Sequence, residues 1–445
     1  MRATLVLTVA MAVLVVLAGC SLPARPGTTT PAADRGDPAT DRIGWENGHW
    51  YDDQLSVTTD DGLNASEREA VVARAMARVE RIRQREFEHS IPVEVISRAE
   101  YRSRHDDAPI DEHARWNDQV WEALFIVGED TSVTKAFNAT LGTSVQGYYA
   151  PDKDEIVLVS DAPRPTISSR TLAHELVHAL QDQQFGLNRT QATQDRQLAF
   201  DGVAEGEAMY VERQYVNRCG EQWQCLPNPD GGSASQSPGY NQGLFLTIYQ
   251  PYATGPGFVA AVEDRGGWDA VDDLYANPPA STEQVIHPAD YPDERPVNVT
   301  VPDRSNDQWR RFDVDPEADT VGEASIYAMF VINGVVDPDG GYYSYVSKPS
   351  AGWAGDAVVP YHDGDSYGYV WQTAWDTRAD ATQFVDAYRT LLTDRYNATE
   401  VRDGVYVIDD SRRFGDAFRV TAAGKRVRIV NAPTVSELDA VYRPR

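Results

Sequence analysis

The apolar positions of the chain repeat with helical spacing in some segments and with strand-like spacing in others, which predicts an α+β fold. Residues 66–87 place Val72 and Ala75 on one helical face, and Ser66 is a possible N-cap. Two β-rich runs within 145–160 flank a Pro-Asp-Lys-Asp turn and predict a hairpin. The periodicity also predicts a strand at 91–97 and helices at 113–127, 166–184, 198–216 and 242–276.

The pattern changes near residue 300, after which Gly, Asp, Tyr and Trp become frequent. The stretch SYGYVWQTAWD (366–376) predicts a strand, and DATQFVDAYRTLL (380–392) predicts a helix. A second hairpin with a tight turn is predicted at 418–432. We therefore predict a small C-terminal α+β domain over 301–445, which follows a larger domain over 46–300.

The first 20 residues have the layout of an export signal that ends in a lipid-attachment site. Arg2 precedes an apolar run at 3–18, which is too short and wrongly flanked for an ordinary membrane span. The run ends in Leu-Ala-Gly-Cys, which looks like a lipobox with Cys20 as the lipidated residue; a plain signal peptide with a chance cysteine is the alternative. Residues 21–45 are predicted to form a flexible tether. These features predict an extracellular protein that a lipid anchors to the membrane.

Charge restricts the possible partners. The formal net charge is −28 and the pI is about 4.6, so the phosphates of nucleic acid would be repelled. Of the 40 basic residues, only Lys135, Lys153, Lys348 and Lys425 are lysines. This bias resembles that of haloarchaeal proteins, which tolerate such charge because the Debye length in molar salt is only about 3 Å. An acidic protein from a GC-rich mesophile is the alternative.

Two cysteines remain when Cys20 is set aside. Cys219 and Cys225 are close enough for a small disulfide loop in an oxidising compartment. A zinc site is a poorer interpretation, because two thiolates alone do not complete a zinc shell. Candidate glycosylation sites in Asn-x-Ser/Thr sequons are Asn64, Asn138, Asn188, Asn298 and Asn397.

The stretch AHELVHALQDQQ (173–184) carries the clearest chemical signal in the chain. His174 and His178 are four positions apart, so both imidazoles lie on one helix face and can bind one Zn²⁺ ion. Glu175 occupies the position of a general base that acts on a metal-bound water. The motif alone arises by chance in roughly one such chain in a hundred, so a surface helix with two incidental histidines is the alternative.

Two later stretches resemble gluzincin metallopeptidases. AEGEA (204–208) resembles their Asn-Glu-Gly-x-Ala stretch, and PYATGPGFVAAVEDRGGWDAV (251–271) resembles the Tyr-x-x-Gly-x-x-Phe/Leu helix of the aminopeptidase-type members. The resemblance implies that Glu205 is the third zinc ligand and that Tyr252 donates a hydrogen bond to the oxyanion. Glu207 is a rival to Glu205, but two helical positions are about 200° apart, so only one can face the ion.

The same resemblance implies a gluzincin-like domain, in which the edge strand of a mixed sheet lies over the HExxH helix and a helical subdomain follows. Either 145–150 or 155–160 could pair with an extended peptide substrate, and a purely structural hairpin is the alternative. The spacing departs from the better-known members, since 26 residues separate His178 from Glu205. No amine-anchoring GxMEN-like stretch is recognisable, so aminopeptidase activity is not carried over.

Two more stretches resemble secreted HExxH proteins of haloarchaea and some bacteria, namely PPASTEQVIHPADY (278–291) and GWAGD (352–356). His287 in the first is a candidate substrate-binding residue, and a structural histidine is the alternative. Asp182 and Asp201 could orient a metal ligand from outside the ligand set, or they could simply be solvated.

These features together predict a membrane-anchored extracellular zinc metallopeptidase that hydrolyses peptide bonds. The rival hypothesis is a non-catalytic, zinc-containing surface lipoprotein. A structural zinc ion is usually closed in by four protein ligands, and no fourth ligand of the right type is evident in the sequence. A lipid-tethered solute-binding protein would require two similar α/β lobes, which the pattern does not predict.

Overall fold

The computed structural model describes residues 38–443, apart from 39, 58–60, 105–110, 142–144, 163, 227–238, 339, 410 and 412. The described chain has an α+β fold, as the sequence predicts. The predicted lipidation site Cys20 and most of the tether lie outside the described residues. Within the part that is described, no helix is long and apolar enough to cross a membrane.

The first third of the chain builds a three-stranded sheet and the helices around it. Its elements are β1 (Trp45–Glu46), β2 (His49–Trp50), α1 (Ala65–Arg83), β3 (Val93–Ile96), α2 (Arg98–Arg104), α3 (Glu112–Ala123), α4 (Val133–Leu141), β4 (Gly147–Ala150) and β5 (Glu155–Val159). The order in the sheet is β3-β5-β4, with β3 parallel and β4 antiparallel to β5, so β4 is an edge strand. The N-cap of α1 is Asn64 rather than the expected Ser66, because the Asn64 side chain accepts from the Glu67 N–H in a capping box.

Five helices follow and carry the predicted chemistry. They are α5 (Ser169–Phe185), α6 (Gln194–Asn217), α7 (Gln242–Ile248), α8 (Gln250–Ala276) and α9 (Thr282–Ile286). The helical structure predicted over 242–276 is present as α7 and α8, which meet at Tyr249, and α8 is kinked at Gly267. Pro251 lies in the first turn of α8, where the missing N–H of proline is tolerated. In the interior of one continuous helix, the same proline would remove a hydrogen bond.

The C-terminal part forms a seven-stranded antiparallel sheet with the strand order β6-β7-β8-β12-β11-β10-β9. Its elements are β6 (Arg310–Arg311), α10 (Gly322–Ile332), β7 (Trp353–His362), β8 (Tyr367–Trp375), α11 (Arg378–Thr390), β9 (Thr399–Arg402), β10 (Val405–Val407), β11 (Ala417–Ala423), β12 (Arg426–Ala432) and α12 (Leu438–Val441). The predicted strand, helix and hairpin correspond to β8, α11 and β11–β12.

The C-terminal sheet has an apolar core on each face. One core contains Val359, Val370 and Leu438 and comes from the C-terminal part and the residues just before it. The other core combines α10, α11 and the opposite face of the sheet with α3, α4 and α7. Phe125, just after α3, packs its ring 5.6 Å from that of Phe418 in β11. Chain segments on both sides of the predicted 300/301 boundary therefore share one core.

Helix α5 lies between two layers. Its apolar side carries Leu172, Leu176 and Leu180 into a core with α1 and the three-stranded sheet. Its other side faces α6, which in turn packs against α8. The Ser168 hydroxyl caps the start of α5, and Gly186, with φ of 73°, ends it. This arrangement buries the polar side of α5 as well as the apolar side.

Candidate metal centre

Helices α5 and α6 bring three metal-ligand atoms together. The Nε2 atoms of His174 and His178 are 3.1 Å apart, and each lies 3.2 Å from Oε2 of Glu205. The two histidines lie on one face of α5 because four residues make slightly more than one helical turn. The three residues predicted as ligands therefore form a nearly equilateral triangle at the α5–α6 interface.

The triangle has the dimensions of a zinc site. Ligand atoms that hold a tetrahedral Zn²⁺ at about 2.0–2.1 Å are separated by roughly 3.3 Å, which is close to all three distances here. Among the described residues, this group of His, Cys, Asp or Glu ligands has three members. A site with three protein ligands leaves a fourth position for water or substrate, as catalytic zinc sites do.

The imidazole of His178 is held in the form that binds a metal through Nε2. Its Nδ1 lies 2.9 Å from Oε1 of Gln181, whose Nε2 donates to the Ala204 carbonyl at 2.9 Å. The second bond fixes the orientation of the amide, so Nδ1 of His178 must donate. Nε2 of His178 then faces Glu205 Oε2, where it donates when the ring is protonated and offers its lone pair to a cation when the ring is neutral.

Glu212 lies beside the other histidine and was missed by the sequence analysis. Its Oε2 lies 3.3 Å from Nδ1 of His174, and its Oε1 lies 3.3 Å from Nε of Arg170. A buried carboxylate behind a histidine ligand is a recurrent support for zinc sites. Glu212 follows Glu205 by seven residues, two turns along the same face of α6, and this spacing was the available signal.

Without a bound metal, the carboxylate of Glu205 and the imidazoles carry charges of opposite sign. Burial acts to raise the pKa of Glu205, but the charge of His178 and hydrogen bonds from both imidazoles outweigh it and lower this pKa to about 2. Burial acts to lower the pKa of His174, but hydrogen bonds to Glu205 and Glu212 raise it to about 10. A cation that binds here would therefore displace a proton from His174.

Glu175 has one satisfied and one free carboxylate oxygen. Oε2 accepts from the Tyr149 N–H of the edge strand β4 at 2.9 Å, and buried Oε1 has no hydrogen-bond partner. Burial raises the pKa of Glu175, and the neighbouring histidines act to lower it. A buried acceptor without a hydrogen-bond partner destabilises the fold. Oε1 of Glu175 lies beside the ligand set, where it is placed to accept a proton.

Tyr252, near the start of α8, lies against the ligand set. Its ring stacks on that of His174, with 6.5 Å between the centroids and 19° between the planes. Its buried hydroxyl has no hydrogen-bond partner. Burial, and then the charge of Glu205, raise the pKa of Tyr252 well above its ordinary value, so the hydroxyl remains a donor.

Glycines explain how α8 approaches α6 so closely. A Cβ added to Gly206 would lie 2.6 Å from the carbonyl carbon of Gly255, and a Cβ added to Gly255 would lie 2.5 Å from the Gly202 oxygen. The two helices therefore touch backbone to backbone. Glu205 precedes one of these glycines and Tyr252 lies one turn before another, so the contact brings both side chains to the same place.

Glu207 lies on the other side of α6. It accepts from Nε of Arg83 at 2.5 Å and from the hydroxyl of Tyr275 at 2.7 Å. This buried ion pair joins α6 to α1 and α8 and is separate from the ligand triangle. Of the two rival glutamates, Glu205 is the one that meets the histidines.

The two aspartates considered as supports for the ligands have different surroundings. Asp182 accepts from the hydroxyl of Tyr149 at 2.9 Å and from the Leu187 N–H at 2.6 Å, so it supports the end of α5. Asp201 accepts from Nε2 of Gln197 at 2.8 Å. Burial raises the pKa of Asp201 to about 7, and the charge of Glu205 adds to this effect.

His287 follows α9 and contacts a different carboxylate. Its Nε2 lies 3.1 Å from Oε2 of Glu323 in α10. This contact gives His287 a partner within the fold, and its substrate-binding role stays a prediction. Cys219 and Cys225 form the predicted disulfide. Among the sequon asparagines, Asn64 caps α1, and the exposed ones are Asn138, Asn188, Asn298 and Asn397.

Comparison with known proteins gives one match. Residues 310–442 match the family model described as Domain of unknown function (DUF8575). This segment runs from β6 to just beyond α12 and lies after all the residues of the ligand triangle. No curated protein and no solved structure matches the chain.

Proposed function

We propose that this protein is a zinc-dependent peptidase of the gluzincin type. The observation that carries the proposal is the triangle of His174 Nε2, His178 Nε2 and Glu205 Oε2, with separations of 3.1–3.2 Å. The free Oε1 of Glu175 and the free hydroxyl of Tyr252 add to this support, because both are buried at the triangle without partners.

The chain supplies the proton transfers and the stabilisation of charge. Bound zinc would polarise the scissile carbonyl and lower the pKa of a water molecule. Glu175 takes the proton of the attacking water on its free oxygen and then passes it to the leaving amine. Tyr252 donates a hydrogen bond to the oxyanion that develops on the substrate. Gln181 and Glu212 keep the two imidazoles in the orientation that ligation needs.

The edge strand β4 is the proposed docking site for the peptide. It pairs with β5 on one side, and its other side carries the Tyr149 N–H that reaches Glu175. An extended peptide can add to such an edge through main-chain hydrogen bonds, so its scissile bond would run past Glu175. Lipidation of Cys20 would hold this site outside the cell, where the Cys219–Cys225 disulfide is stable.

The burial of the site favours a second candidate function, a non-catalytic zinc-containing surface protein. His174 and Glu175 are 1% and 3% exposed, and Glu205 and His178 are 6% and 8% exposed. A substrate carbonyl must reach the fourth position of the ion, whereas a zinc ion with a structural role needs no such access.

The variant Glu175→Gln separates the two candidate functions. We expect it to retain zinc and to lose about 10²–10⁴-fold in peptidase kcat in high salt, because the amide cannot take up the water proton. Glu221→Gln, at an exposed position beyond α6, is the matched control and should behave as wild type. A zinc-loaded wild type with no activity across a broad peptide library would instead support the non-catalytic function.

A further inference from the structure

A second group of acidic side chains converges away from the zinc ligands. Glu283 belongs to α9, Glu294 lies in the segment after it, and Asp376 directly follows β8. One carboxylate oxygen from each residue lies within 4.8 Å of the other two. Glu283 is buried, whereas the other two carboxylates are partly exposed, so the group opens towards solvent.

Glu283 is a buried residue whose carboxylate has no partner among the described residues. The residue is 4% exposed, and no hydrogen bond or ion pair joins its carboxylate to any described residue. By contrast, the buried carboxylate of Asp356 accepts from three groups: the N–H groups of Val321 and Gly322, and Nε1 of Trp353. Buried carboxylates normally have such partners, so the Glu283 carboxylate, which faces two others, lacks a positive group.

The charges around Glu283 are mostly of its own sign. Glu323, Glu294, Asp376 and Asp195 are the acidic side chains whose charges act on Glu283. Two cationic side chains act nearby: His287 bonds to Glu323, and the charge of Lys425 acts to lower the pKa of Asp376. Neither bonds to Glu283, so no cationic side chain among the described residues is paired with its carboxyl group.

We propose that Glu283, Glu294 and Asp376 bind a calcium ion. Calcium takes carboxylate oxygens at about 2.3–2.6 Å, so oxygens on opposite sides of one ion are up to roughly 5 Å apart. The three oxygens lie within 4.8 Å of one another, which is close enough for one ion to bind all three. Magnesium demands near-octahedral geometry, keeps several waters and usually binds through one or two carboxylates, so it suits a set of three carboxylates less well. The partly exposed side leaves room for water to complete the calcium shell.

Calcium at this site would join two parts of the chain. Glu283 and Glu294 precede the segment that matches the family model, and Asp376 lies inside it. Helix α9 packs on α6, which carries Glu205. The ion would therefore hold the C-terminal sheet against the helices that support the zinc ligands. This role is independent of the proposed peptidase activity, because it requires only the three carboxylates.

The test is calcium binding by the full chain after chelation and reloading with one equivalent of zinc. We expect Ca²⁺ alone to bind at one site by titration calorimetry and to raise the thermal midpoint by a few degrees. Glu283→Gln and Asp376→Asn should each weaken Ca²⁺ binding at least about ten-fold, because each removes one charged ligand. The matched control is Asp293→Asn, an exposed position next to Glu294, which should bind as wild type.

The possible results are distinct. Absence of stoichiometric Ca²⁺ binding in the wild type would overturn the proposal, and so would unchanged affinity in both ligand variants. A rise in the thermal midpoint that Mg²⁺ matches at equal concentration would overturn the assignment to calcium. If Glu283→Gln does not fold, Glu294→Gln at the partly exposed ligand provides the same test. Peptidase activity is not measured, so failure here leaves the zinc proposal untouched.

Discussion

The backbone contact between α6 and α8 predicts a specific cost for one added methyl group. In Gly206→Ala, the new Cβ would lie 2.6 Å from the Gly255 carbonyl, where ordinary contact begins at 3.4 Å, so the helices must separate by about 0.8 Å. Overpacking of this kind costs about 1–3 kcal/mol, and backbone atoms cannot rotate out of the way. Alanine recovers about 1 kcal/mol of helix propensity. We therefore expect a net loss of up to about 2 kcal/mol in the free energy of unfolding.

The matched control is Gly257→Ala, at an exposed position on α8 where an added Cβ meets no atom within 4 Å. It should raise the free energy of unfolding by up to about 1 kcal/mol through helix propensity alone. Urea unfolding of both variants in molar salt at fixed zinc, followed by circular dichroism, measures the difference. The reasoning is refuted if Gly206→Ala is as stable as Gly257→Ala, because the helices could not then be in backbone contact.

Three further predictions concern the site and the acidic interior. Glu212→Gln should weaken zinc binding about 10–100-fold in a competition assay with a chromogenic chelator, while Glu221→Gln should not. Tyr252→Phe should keep its zinc and lose about 10²–10³-fold in kcat; an unchanged kcat would exclude Tyr252 as the oxyanion donor. Burial raises the pKa of Asp319 to about 7 from 3.8, so its contribution to stability is full below about pH 4 and is lost as pH rises through 7. Asp319→Asn should therefore match wild type at pH 4 but exceed its free energy of unfolding by on the order of 2 kcal/mol at pH 8, and equal stability at both pH values would contradict this.

The ligand triangle was accessible from the sequence because helical geometry fixes which residues share a face. His174 and His178 are four residues apart, so they share one face of α5. Glu205 and Glu207 are two residues apart, so only one of them can face the histidines. The same reasoning applied to α6 would have found Glu212, two turns beyond Glu205. The glycine that follows Glu205 was recognised by resemblance, and the structure supplies its physical reason in the contact with α8.

Other elements had no readable pattern. Helix α10 is buried on all sides within the shared core, so it lacks the alternation of apolar and polar faces that marks a surface helix. Strand β7 contains Pro360 and a register shift next to Gly355, which interrupt its period of two. The GWAGD stretch has a structural role at this shift, because Asp356 caps the start of α10. Asp356 and the start of α10 are far apart in sequence, so the spacing of residues within a short stretch could not predict their contact.

The shared core has a consequence for how this protein changes over generations. Phe125 contacts the rings of Tyr388, Phe414 and Phe418, so a substitution on either side of residue 300 alters the fit of the other side. A lineage that acquired residues 310–442 alone would leave this face of the sheet bare to water. We therefore expect the C-terminal segment to be inherited together with α3, α4 and α7, and expect their facing side chains to covary.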